Sequence, residues 1–183
     1  MPDNWTIAAA KGMDPLSFFY KRADMTPIEL EPVVGEEMPE PYRELLVHDD
    51  DMTPTLEAFH KQRLYLYVLD QERDAKTCAR QVILLGEESE QAVEFGAIYI
   101  NMEPLPGQAR ALVAQGHKPL GAILAEYEIA HRSAPKSYCK VAADETISDA
   151  LQIERGQTLY GRRNQLLTED GTLLAEVVEI LPP

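Results

Sequence analysis

Two long apolar runs, residues 158–168 and 172–181, are separated only by Glu169-Asp170-Gly171. Asp-Gly supplies the positive-φ backbone of a tight hairpin, so the two runs are antiparallel neighbours. That junction commits the C-terminal end of the chain to an antiparallel sheet. Earlier segments have the same character. Residues 63–70, 77–86 and 92–102 are rich in aliphatic and aromatic side chains, and Glu87-Glu88-Ser89-Glu90 makes the turn between the second and third. A further strand falls near 136–143.

Helix signals lie between these strands. Pro41-Tyr42-Arg43-Glu44-Leu45-Leu46 opens with proline, which suits a first helical turn. Thr53 reads as an N-cap with Pro54 behind it, and Leu56 and Phe59 form an apolar stripe. Residues 108–115 form a helix that stops at Gly116, and a second helix runs over 121–131 beyond the corner Pro119-Leu120-Gly121. Strands in meanders with helices inserted as a block give an α+β fold with one antiparallel sheet. Residues 1–40 read as an extended, proline-rich arm (Pro2, Pro15, Pro27, Pro32 and Pro39, with Pro41 just after it), followed by one domain over 41–183. The arm is too short to supply a winged-helix or helix-turn-helix module.

Composition narrows the function classes. The 31 acidic residues against 17 basic ones leave a net charge of −14, with no basic stripe for nucleic acid or anionic lipid. No secretory leader opens the chain and no apolar run is long enough to span a bilayer, so a cytoplasmic location is expected. Cys78 and Cys139 lack the spacing of a metal or redox motif, and the four histidines are scattered. No glycine-rich phosphate loop and no Gly-x-Ser-x-Gly elbow is present. Neither a metal nor a cofactor is expected. The oligomeric state stays open.

Two charges interrupt otherwise apolar strands. With a period of two, Arg80 shares a face with Cys78, Val82 and Leu84, and Glu176 shares one with Leu174, Val178 and Ile180. Burying a charge costs several kcal/mol unless it is paired or holds a charged ligand. A buried polar pocket, or a plain Arg80–Glu176 ion pair, follows from this pattern. Glu179, on the other face of the same run, competes with Glu176. Arg162 and Arg163 are adjacent, so one of them points inward if both lie in a strand.

The ordered set Asp51-Met52-Thr53, Ala79-Arg80-Gln81-Val82-Ile83-Leu84, Phe95-Gly96-Ala97, Gly116-His117-Lys118-Pro119-Leu120-Gly121, Gly161-Arg162-Arg163-Asn164 and Leu174-Ala175-Glu176 resembles the chorismate pyruvate-lyase family. The resemblance runs through residues 45–182. It implies an antiparallel sheet with helices on one side, the ligand enclosed beneath helical flaps. It also implies a cofactor-free lyase that eliminates pyruvate from chorismate to give 4-hydroxybenzoate, for quinone biosynthesis or a related pathway. By position, Arg80 would bind the ring carboxylate and Glu176 would act near the breaking ether bond. Met52 and Leu120 would contact the ligand from the flaps, and Arg132 would help close the site. The family often carries an arginine where this chain has Ala97. The alternative is a non-catalytic binding protein of the same fold that takes an aromatic carboxylate.

Overall fold

The computed structural model describes residues 12–183. Seven strands form one sheet in the order β1-β5-β6-β7-β4-β3-β2, and every neighbouring pair is antiparallel. They are β1 (Glu31–Val33), β2 (Leu64–Arg73), β3 (Thr77–Gly86), β4 (Ala92–Asn101), β5 (His131–Ala142), β6 (Thr158–Thr168) and β7 (Leu173–Leu181). The β6–β7 hairpin closes at Asp170-Gly171 with Gly171 at a φ of +85°.

Six α-helices accompany the sheet: α1 (Pro15–Arg22), α2 (Tyr42–Leu46), α3 (Met52–His60), α4 (Gly107–Gln115), α5 (Leu120–Glu126) and α6 (Glu145–Leu151). α4 ends as its sequence demands, with Gly116 in the left-handed region at a φ of +73°. α5 stops at Glu126, short of the expected 131, because the backbone turns left-handed at Glu128 (φ +50°) before β5 begins at His131.

The expected arm over 1–40 lies partly outside the described residues, but residues 12–40 are more ordered than their prolines imply. Residues 15–22 form a helix, because Asp14 caps it by accepting the Ser17 amide at 3.0 Å and Pro15 occupies the first turn. α1 buries Leu16, Phe18, Phe19 and Tyr20 against Ala79, Phe95, Ala97, Val178 and Ile180. α6 packs on the same sheet face, and the Tyr20 hydroxyl donates to its cap residue Asp144 at 2.7 Å.

The opposite face carries α2 to α5. α4 and α5 pack on Cys78, Ile100 and Leu166, while α2 and α3 pack on Leu64 and Leu84. Between these two clusters the sheet is not filled by side chains from above. No helix among the described residues is long and apolar enough to cross a membrane.

Candidate ligand-binding site

The gap between the two helical clusters is a cavity of about 80 Å³, room for several waters or the body of one small organic molecule. Arg80 and Val82 of β3, Glu94 and Ile98 of β4 and Val177 and Glu179 of β7 line its sheet side. Met52 and Thr53 at the start of α3 and Leu120 and Gly121 at the start of α5 roof it. The walls between its charged ends are mostly aliphatic, with Asn164 of β6 among them.

Alternation places the charges. Arg80 pairs in register with Ile98, Val177 pairs with Ile98 from the other side, and Glu179 pairs with Gly96. These residues therefore share one face. Gly96 sits between Glu94 and Ile98, and a Cβ there would meet the Glu94 carboxylate oxygen at 3.1 Å and the Val178 carbonyl at 3.3 Å. The missing side chain leaves room for the two carboxyl groups.

Two buried arginines differ in what they touch. Arg162, fully buried, donates from Nε to Glu179 at 2.5 Å, from Nη1 to the His48 carbonyl at 3.0 Å and from Nη2 to the Asp50 carbonyl at 3.2 Å. It satisfies the buried Glu179 and pins the α2–α3 connection to the sheet. Asp51, at the end of that connection, does not cap α3 with its side chain; it accepts from His131 Nε2 at 2.8 Å instead. Arg80 is 1% exposed, and neither its Nε nor its Nη1 has a partner. Burial pulls the Arg80 guanidinium below its usual value, with Cys78 opposing.

Glu94 is the other unsatisfied group among the described residues that line the cavity. Its Oε2 is buried without a partner. Burial pushes its pKa well above the usual carboxylate range, the neighbouring Glu179 adds to this, and Arg162 opposes it. Glu94 therefore favours the neutral acid, beside the Glu179 carboxyl that Arg162 holds. Sequence reading passed over it because a lone Glu in a strand reads as a solvated face; only the register with β3 and β7 reveals its burial.

Of the residues singled out from sequence, Arg80, Met52 and Leu120 come together at this cavity. Glu176 and Arg132 do not. Glu176 pairs with Tyr99, so it lies on the α1 face of the sheet, where Arg163 donates to it at 3.0 Å. Arg132 is exposed on β5. The Arg80–Glu176 ion pair is absent for the same reason: the two side chains project from opposite faces. The inward arginine of the Arg162-Arg163 pair is Arg162. Among the described residues no cluster of three His, Cys, Asp or Glu is placed to hold a metal ion.

No family model matches the chain, and no curated protein matches it in sequence. Solved structures do match it. The effector domain of PhnF from Mycobacterium smegmatis aligns with a TM-score of 0.57 at 10% identity, over 82% of this chain and 91% of that one. Whole PhnF aligns at 0.56 and 10% identity over 72% of this chain, which spans 63% of PhnF. The ligand-binding domain of a protein classed as a GntR-family transcriptional regulator, from Bordetella bronchiseptica, aligns at 0.50 and 15% identity over 65% of this chain and 85% of that one. At these identities the likeness establishes the fold: an α+β domain with one antiparallel sheet, shared with regulator ligand-binding domains and related to chorismate lyase.

Two expectations are corrected on this ground. Lyase activity does not stand, because the matching domains are regulator domains, and Glu176, cast as the acid, faces away from the cavity. The partner assignment of chorismate and 4-hydroxybenzoate, with nucleic acid excluded, falls with it.

Proposed function

We propose that this domain is the non-catalytic sensing part of a regulatory protein, and that it binds a small organic monoanion, an aromatic or similarly apolar carboxylate, in the cavity beneath α3 and α5. In that role its partners are the effector and a DNA-binding module. One observation carries the reading: a fully buried arginine with two unpartnered nitrogens lines a largely aliphatic cavity. An unpaired buried guanidinium is costly, and a carboxylate docking on its fork turns that cost into two charge-assisted hydrogen bonds. Met52, Leu120, Ile98 and Val177 enclose the apolar body, and residues 12–40 pack onto the binding domain of 41–183 through α1 and β1.

Thermal unfolding in millimolar benzoate tests this. The midpoint should climb with the logarithm of benzoate concentration. No shift with benzoate or any other monocarboxylate would overturn the reading.

A further inference from the structure

Arg80 accounts for one end of the cavity. Its opposite end holds a second buried group with an unused valence, and that group bears on which monoanions fit. We propose that Glu94 is a specificity-determining residue of the cavity, and that the ligand carries an uncharged oxygen, a hydroxyl or a carbonyl, at the end opposite its carboxylate. This rests on the monoanion reading above.

Register sets the two ends apart. Arg80 pairs with Ile98, and Glu94 lies four residues from Ile98 on β4, about 13 Å along the strand. Both side chains line the same space, which separates them by Val82, Ile98 and Val177. A ligand that reaches both therefore has two polar ends and an apolar middle.

Charge counting selects the second end. Arg162 and Glu179 neutralise one another at 2.5 Å, and Glu94 beside them is held as the neutral acid. Arg80 is then the one uncompensated charge facing the cavity among its described lining residues. A ligand bearing a single negative charge balances it. A second carboxylate would lie against Glu94 and Glu179, and an ammonium would first require Glu94 to ionise beside Glu179. An uncharged oxygen needs neither, and it accepts from the Glu94 carboxyl proton at no cost in charge.

Four para-substituted benzoates with one body separate these cases: 4-methylbenzoate, 4-(hydroxymethyl)benzoate, 4-(aminomethyl)benzoate and terephthalate, each titrated into the described chain by calorimetry. The hydroxymethyl compound should bind about tenfold more tightly than the methyl one, the size of one buried hydrogen bond, and terephthalate should bind worst. Glu94→Gln keeps an amide donor of the same shape and should preserve most of that ratio; Glu94→Leu should bring it to about one. A ratio near one in the unaltered protein, or one that survives Glu94→Leu, overturns the assignment of Glu94 while leaving Arg80 as the anchor. So does tightest binding of the aminomethyl compound with release of a proton. If none of the four binds, the monoanion reading itself falls and this assignment with it.

Discussion

Among the described residues Arg80 and Arg162 are the two largest fully buried side chains, yet they stand in opposite states: Arg162 is held by a carboxylate and backbone carbonyls, whereas Arg80 leaves Nε and Nη1 without partners. One is a structural clasp and the other is an open binding group. Their removal should therefore have opposite effects on stability. Arg162→Met strands the buried Glu179 and frees the α2–α3 connection, and should cost about 3–5 kcal/mol. Arg80→Met removes an unpaired buried charge and should raise the stability of the ligand-free domain by about 1 kcal/mol. Urea unfolding of the two variants reads the difference directly.

The same clasp depends on close strand approach. A Cβ on Gly161 would lie 2.4 Å from the Glu179 carbonyl, a backbone atom that cannot rotate away. Gly161→Ala should force β6 from β7 and destabilise the domain by about 1–3 kcal/mol. Chemical denaturation would show it, and unchanged stability would mean that the two strands can separate freely.

Most strands and the β6–β7 pairing were legible in the residues because they are local: Asp170-Gly171 announces its hairpin, and Gly116 its helix end; β1, three residues inside the proline-rich stretch, was not. The face of each side chain was legible only within one strand. Arg80 shares a face with Val82 and Leu84, and Glu176 with Val178 and Ile180, as alternation requires, but nothing local relates β3 to β7. The pairing of Arg80 with Ile98 and of Tyr99 with Glu176 does, and it puts the two charges on opposite faces. Helices cover both faces at the centre of the sheet, so β7 is apolar on both sides and Glu176 and Glu179 look equivalent. α1 escaped notice because its flanking prolines dominate the stretch, although Asp14-Pro15 is itself a helix start.

His131 links β5 to the loop that carries the cavity's roof. Burial pulls its pKa down, but the Ile129 carbonyl and Asp51 outweigh this, and the net shift is upward from 6.5. A raised folded-state pKa means that the His131–Asp51 contact stabilises fully below pH 6.5 and that this contribution fades as pH rises through the folded value. The stability difference between the protein and its His131→Gln variant should therefore shrink as pH rises above 6.5. A difference that grows with pH would contradict the sign.

Glu176 and Arg163 form a half-exposed pair on the α1 face, where such pairs contribute little. Glu176→Gln and Arg132→Ala should leave benzoate affinity within about twofold of the original and change stability by about 0–1 kcal/mol. A large loss of binding in either would place the ligand somewhere other than the cavity.

The most direct measurement is benzoate titration by calorimetry into the protein and its Arg80→Met variant at equal folding. Two charge-assisted hydrogen bonds are lost with the guanidinium, so affinity should fall by about a hundredfold or more, without any loss of stability in the variant. Equal binding by the two proteins would contradict the assignment of Arg80 as the group that holds the ligand's carboxylate.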